Sequence, residues 1–317
     1  MSIRVAFVGY GGIAKAHQSS VVLSGMGQIV GGMDIDPKQR QRFEEEAGAP
    51  SFECYKEMFD KTKPNAVIVS TPPSVREDII AECISRNLAV LTEKPLAHNA
   101  KSARKLFEMS KKAKSVCGVA YCWRFNPGVN RIKKLLTDGT LGLPIEFVIF
   151  FSGYVPWYNE AWRTDIGISG GGCLADNGSH ALDIFRYVIG PVKNAAGITR
   201  HVWPGRGDDS AFILIAGEDG SAGQVTVSWM FPHGVNKIQL IGSEGSATYD
   251  LNAIDELQVC IGKDEVRTEK LSKEARFVDQ MKAFLSAVQN GRKSQLATFE
   301  DGLAAAEIVE NIYKNRL

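Results

Sequence analysis

Gly9-Tyr10-Gly11-Gly12-Ile13-Ala14 has a spacing that suits one kind of chemistry, the binding of a dinucleotide pyrophosphate. The run reads G-x-G-x-x-A, follows a short apolar segment and opens an amphipathic one. In such a run Gly9 permits a tight turn, Gly11 lets the backbone approach the phosphates, and small Ala14 lets the helix pack closely on the sheet. Backbone N–H groups at Gly11, Gly12 and Ile13 then face the anion from a helix N-terminus. Asp34 stands twenty residues beyond Ala14, at the end of the next apolar run. A carboxylate there accepts hydrogen bonds from the adenosine ribose hydroxyls. The same charge repels a 2′-phosphate, so Asp34 predicts NAD rather than NADP. Glycine turns join strands to helices in many proteins, so the motif by itself also fits a Rossmann-like domain that binds no dinucleotide. Asp34 favours the binding reading.

The elements around this motif follow from hydrophobic periodicity. Strands are predicted at Ile3–Val8, Gln28–Met33, Ala66–Ser70, Ala89–Thr92 and Val116–Val119. Helices are predicted between them at Ile13–Ser24, Pro37–Ala47, Val75–Arg86 and Ala100–Lys112, with Asp36 as the N-cap before Pro37. This alternation predicts an α/β Rossmann domain with a doubly wound parallel sheet over residues 1–121. After Asn126-Pro127 the rhythm changes. A helix at Val129–Leu136, a strand at Ile145–Ser152 and a helix near Leu174–Ile189 precede strands at Ala211–Ala216, Gln224–Met230, Lys237–Ile241 and Leu257–Ile261. Successive strands without helices between them predict an α+β domain with a mainly antiparallel, open-faced sheet over residues 122–317. Two helices close the chain, the first with Phe277, Met281, Phe284, Leu285 and Val288 along one stripe.

Composition narrows the function class. The 317 residues carry 37 basic and 36 acidic side chains, so no global field draws the protein toward nucleic acid or a membrane surface. No stretch reaches the roughly 18 uninterrupted apolar residues that span a bilayer. The first residues read as a strand rather than a signal peptide. The six cysteines are scattered, with no C-x-x-C pair and no spacing suited to zinc, which predicts free thiols, no metal site and a cytoplasmic setting.

Further motifs appear in a fixed order: Thr71-Pro72 after the third strand, Glu93-Lys94-Pro95 after the fourth, and Arg124-Phe125-Asn126-Pro127 at the domain junction. Gly170-Gly171-Gly172 then leads to Asp176-x-Gly178-x-His180-x-x-Asp183. With the opening fingerprint, this set resembles the Gfo/Idh/MocA oxidoreductase family over nearly the whole chain. The resemblance implies that Lys94, Asp176 and His180 form the catalytic group. It also implies cofactor contacts at Thr71, Pro72, Glu93 and Lys94, in addition to Gly9, Gly11, Gly12, Ile13 and Asp34.

The implied chemistry suits the residue types. Oxidising an alcohol removes a hydroxyl proton while a hydride leaves the carbon. A histidine such as His180 exchanges protons near neutrality. Lys94, at the carboxyl end of its strand, can stabilise developing alkoxide charge. Asp176, four residues before His180, shares its helix face and can orient the imidazole or contact the substrate. Asp183 could play either part. The bland alternative for the Asp/His pair is a solvated helix face. Trp162 and Arg163, in a loop dense in aromatics that suits a polyol or sugar ring, are candidate substrate contacts; the resemblance implies the same for Tyr121 and Arg124, and Asp183 is a further candidate. Loop packing and an inter-domain tie by Arg124 remain the alternatives. One departure stands out. Where the family often has Thr-Pro-Asn-x-x-His, this chain reads Thr71-Pro72-Pro73-Ser74-Val75-Arg76, which leaves the contacts of that corner open.

The expected activity is hydride transfer between NAD and a ring hydroxyl or ketone of a sugar, cyclitol or related polyol. An enzyme that recycles a tightly bound NAD and a non-catalytic NAD sensor are the alternatives; a sensor has no need of Lys94, Asp176 and His180 together. The expected assembly is a homodimer or homotetramer.

Overall fold

The computed structural model describes residues 2–291 and 295–315. These fall into two compact units, one of residues up to Cys122 together with Ala275–Leu303, the other of Trp123–Glu274 together with the chain from Ala304 onward.

The first unit is built on strands β1 (Ile3–Val8), β2 (Gly27–Met33), β3 (Ser51–Phe52), β4 (Ala66–Val69), β5 (Ala89–Thr92) and β6 (Cys117–Val119). Helices α1 (Gly12–Ser24), α2 (Pro37–Ala47), α3 (Tyr55–Thr62), α4 (Arg76–Ser85) and α5 (Ala100–Lys112) connect them. The six strands run parallel in the order 3-2-1-4-5-6, the doubly wound arrangement expected. Every residue of β4 and β5 is buried, as a sheet covered on both faces requires. Local chemistry sets the helix ends. Asp36 accepts the Lys38 N–H at 2.9 Å before Pro37 at N1 of α2, and Asn99 accepts the Ser102 N–H at 2.8 Å for α5.

The strand order reverses between β1 and β4, and there Gly9 has no alternative. Its φ is +86°, and a Cβ would lie 2.9 Å from backbone atoms of Ser70 and Thr71.

A single cut at residues 121 and 122 misses one feature. Helix α9 (Arg276–Asn290) packs on α1, and β15 (Ala297–Thr298) pairs antiparallel with β6 at the sheet edge. The apolar stripe of α9 buries Met281, Phe284 and Leu285. Periodicity shows that a helix has an apolar face but not which core receives it. The short α3, β3 and β15 carried no sequence signal of their own.

In the second unit, β7 (Pro144–Ser152), β8 (Val192–Arg200), β9 (Ser210–Gly217), β10 (Ala222–Ser228), β11 (Asn236–Gly242), β12 (Gly245–Asp250), β13 (Glu256–Ile261) and β14 (Arg267–Lys270) form one sheet. Its order is 14-13-12-11-7-10-9-8, antiparallel throughout except for the parallel pair β7 and β10. Helices α6 (Pro127–Thr137), α7 (Ile166–Ser169) and α8 (Ser179–Val188) belong here, and α10 (Phe299–Lys314) begins in the first unit and ends in this one. One set of alternating residues, including Phe147, Ile149, Ile213, Ile215, Val225 and Ile238, joins Leu182 and Phe185 of α8 in the core. The other set crosses the strands in rows. Ile198 is paired with Phe212, Phe212 with Thr226, and Thr226 with Phe150. Leu214 is 63% exposed and Ile198 52%, so part of this apolar face is open.

Among the described residues no helix is long and apolar enough to cross a membrane, and no His, Cys, Asp and Glu cluster could hold a metal. All six cysteines are free thiols; Cys83, Cys122 and Cys173 are buried, whereas Cys54 is exposed.

Candidate active site

The glycine loop offers an anion cradle. Gly11 is the N-cap of α1, and a Cβ on Gly11 or Gly12 would meet nothing within 4 Å, so the space above the helix N-terminus is open. Ala14 is fully buried against the sheet. Asp34 accepts the Tyr10 N–H with Oδ2 at 2.7 Å and the Asp36 N–H with Oδ1 at 2.9 Å. It therefore also fixes the loop that it follows in sequence by a full βαβ unit. A carboxylate has about four lone-pair sites, so both oxygens can still accept from ribose hydroxyls.

Tyr10, the variable residue of the motif, anchors the loop from below. Its ring is fully buried, its hydroxyl lies within hydrogen-bond reach of both Gln18 Oε1 and Glu46 Oε2, and the Arg42 guanidinium lies 4.9 Å from the ring centre. Arg42 also donates to the Tyr10 carbonyl at 2.8 Å. Burial and the neighbouring Glu46 carboxylate push the Tyr10 phenol well above its ordinary range, so it stays protonated. Nothing in the spacing singled out Tyr10.

At the end of β4, the hydroxyls of Ser70 and Thr71 are buried and have no hydrogen-bond partner. Buried polar groups of this kind are rare without a ligand or water to satisfy them. Together with the open cradle, they fit a bound dinucleotide. Glu93 differs from its expected role as a cofactor contact. Its carboxylate is buried, Oε1 lies 2.7 Å from His17 Nε2, and Oε2 accepts the Lys94 N–H at 3.2 Å. Burial pushes the Glu93 carboxyl upward, but the hydrogen bond and charge of His17, with the charges of Lys94 and Arg76, outweigh that and hold it below the ordinary carboxylate range. Glu93 thus stabilises the turn from inside, while Lys94 remains half-buried. Tyr121 is 1% exposed, more enclosed than a substrate-contacting role requires.

In the second unit the residues expected to react stand at an irregular helix start. Leu174–Gly178 wind as a π-helical turn rather than the regular helix expected, and α8 follows at Ser179. Such turns occur often at functional sites. Asp176 lies within the π turn and His180 in the first turn of α8. Two residues that the motifs did not reveal hold this segment. The buried Asp208 accepts the Leu174 N–H with Oδ2 at 2.7 Å, and its carbonyl accepts the Cys173 N–H at 2.7 Å. Tyr313 donates to Asp208 Oδ1 and accepts the Gly172 N–H at 3.2 Å. A Cβ on Gly172 would fall 2.0 Å from the Asp208 carbonyl oxygen, which is why the glycine run precedes the helix. Burial raises the Asp208 carboxyl despite the Tyr313 hydrogen bond.

Arg163 and Trp162 stand beside Asp176. Arg163 Nε is 3.6 Å from Asp176 Oδ2, and its guanidinium lies over Trp162 at 4.6 Å and Tyr158 at 5.2 Å. Tyr158 packs edge-on against the buried Trp229 at 5.1 Å, whereas Trp157 is largely exposed. An aromatic surface with a cation and a carboxylate at its edge can stack a ring and hold its hydroxyls.

Arg124 and Asp183, both expected as substrate contacts, are bound to each other. Arg124 Nε lies 3.1 and 3.0 Å from the two Asp183 oxygens, and Nη2 lies 2.6 Å from Oδ1. Asp183 is 1% exposed and Arg124 7%. Sequence showed both charges near the motifs singled out but not that they face each other across 59 positions of chain.

Comparison with known proteins follows the same division. Residues 3–121 match the model of an oxidoreductase family with an NAD-binding Rossmann fold, and residues 129–248 match the GFO/IDH/MocA C-terminal domain. The rhizopine catabolism protein MocA of Rhizobium meliloti is 25% identical over 250 residues, covering 77% of this chain and 77% of that protein. The scyllo-inositol 2-dehydrogenase (NAD(+)) of Bacillus subtilis is 28% identical over 255 residues, covering 77% of this chain and 72% of that protein. Among solved structures, a levoglucosan dehydrogenase in complex with NADH and levoglucosan has the same fold, with a TM-score of 0.93, 20% identity and coverage of 99% and 97%.

The Arg124–Asp183 pair has a measurable consequence. Asp183→Ala removes the carboxylate beneath a buried guanidinium and is expected to cost about 3–5 kcal/mol of stability. Urea unfolding followed by tryptophan fluorescence measures it. Replacing both residues by apolar side chains of similar volume should recover most of the loss. An Asp183→Ala variant as stable as the parent would refute the structural assignment of the pair.

Proposed function

The chain belongs to the GFO/IDH/MocA oxidoreductase family, and we propose that it transfers a hydride between NAD and a ring hydroxyl or ketone of a sugar or cyclitol. The observation that carries this reading is the open anion cradle at Gly11 and Gly12 beside Asp34, in a chain that also carries Lys94, Asp176 and His180 in motifs that resemble the family's. NAD, when bound, supplies the hydride acceptor; the protein's residues handle the rest. His180 takes the hydroxyl proton during oxidation, Lys94 stabilises negative charge on the reacting oxygen, and Asp176 orients the imidazole and the substrate. The exposed Trp157 and the Trp162–Arg163 stack provide the surface for a polyol ring. The named relatives, among them an inositol and a levoglucosan dehydrogenase, define the panel to screen.

Inositols, hexoses and anhydrosugars assayed with NAD, by the absorbance of the reduced cofactor, test the activity. His180→Ala should lower kcat about 10²–10⁴-fold and flatten the acid limb of the pH–rate profile, with NAD affinity nearly unchanged. Near-parental kcat in His180→Ala at neutral pH would return the Asp176/His180 pair to a solvated helix face.

Asp34 supports NAD over NADP through its charge at the ribose position. Asp34→Ser should relax that preference, measured as the ratio of kcat/KM with the two cofactors. A parental enzyme that prefers NADP would refute the assignment.

The open apolar rows of the second sheet, with Leu214, Ile198 and Phe212 exposed, support assembly as a homodimer or homotetramer. Light scattering at micromolar concentration should give a multiple of the chain mass, and charging the face with Leu214→Glu should lower it. A monomer before mutation would end this reading.

A further inference from the structure

Arg76 lies between the turns after β4 and β5, and its hydrogen bonds tie the two together. It is the first residue of α4 and only 2% exposed. Its Nε and Nη2 both donate to the Thr71 carbonyl, at 2.8 and 2.6 Å, while Nη1 donates to the carbonyls of Glu93 and Pro95. Glu93 and Pro95 flank Lys94 in the chain. One guanidinium therefore binds the turn after β4 to the turn after β5 and grips the main chain on both sides of Lys94. From within, Glu93 takes the Lys94 N–H, and His17 holds Glu93. Fixing a backbone on several sides leaves its side chain little freedom at the root.

Only arginine fits this task. Three carbonyls lie in three directions, and a planar fork with donors along its whole edge meets them together. An imidazole has two ring nitrogens, and an ammonium is a point donor on a flexible stem.

We propose that Arg76 is the positioning residue for Lys94, acting on catalysis through the carbonyls of Thr71, Glu93 and Pro95 rather than by touching substrate. This rests on the reading of Lys94 as the group that stabilises charge on the reacting oxygen. Displacing a reacting group by about 1 Å costs on the order of 100-fold in rate. Loosening the clamp should thus act on kcat and spare binding.

The test compares the full-length parent with Arg76→Lys, Lys94→Ala and the double variant, using NAD and the polyol turned over fastest in the screen. Arg76→Lys should lower kcat about 10–100-fold, with KM and the NAD dissociation constant within about threefold of the parent. In the Lys94→Ala background the same substitution should cost nothing more in kcat, because the group it positions is gone. Losses that multiply in the double variant, or an Arg76→Lys enzyme with parental kcat beside a crippled Lys94→Ala, would overturn the positioning role alone. An Arg76→Lys chain that melts below the assay temperature would also overturn it, in favour of a purely structural brace. A fully active Lys94→Ala enzyme would instead overturn the reading of Lys94 on which the proposal stands.

Discussion

Strands β4 and β5 are buried on both faces, so the turns at their carboxyl ends must satisfy their own backbone polar groups with little help from water. Much of the first unit answers that constraint. Arg76 collects three turn carbonyls, Glu93 collects the Lys94 N–H, and Asp34 collects the Tyr10 N–H across from β2. Where these groups are used up internally, the loop is rigid. Where they are left over, at the hydroxyls of Ser70 and Thr71 and at the N-terminus of α1, a ligand can be received. Rigidity and receptivity thus come from the same hydrogen-bond accounting.

The second unit meets a comparable demand at a helix start. The first N–H groups of a helix lack intrahelical partners, and a start packed deep in a domain needs protein acceptors. Asp208 and Tyr313 supply them at Cys173, Leu174 and Gly172, and the glycines allow the close approach. The buried Arg124–Asp183 pair fixes α8 one turn further on. Such a pair gains little over apolar packing but is costly to break, so it favours one arrangement over others. The first device holds the backbone just before Asp176, and the second holds α8 just after His180.

The fold was largely legible because it follows from periodicity. The five strands expected before residue 121 all form, and the helices between them start and end within one or two residues of the expected bounds. The regular helix expected from Leu174 fails locally, since apolar spacing does not distinguish a π turn from an α turn at its start. Strands β8, β12 and β14 carry weaker signals than the four runs named within this stretch, because polar residues interrupt their alternation.

By itself the sequence determined the glycine fingerprint, Asp34 and the ordered motifs around Lys94, Asp176 and His180, because each depends on residue type at short spacing. It also determined the two classes of architecture, because strand and helix periods differ. Tertiary structure alone decided the partners. That Arg124 meets Asp183, that Asp208 and Tyr313 cap the glycine run, that Glu93 turns inward to His17, and that α9 returns to α1 are contacts between residues far apart in the chain. A buried charge or polar group must find a partner, but many residues could serve chemically, and only the packing of the whole core brings one of them within hydrogen-bond reach.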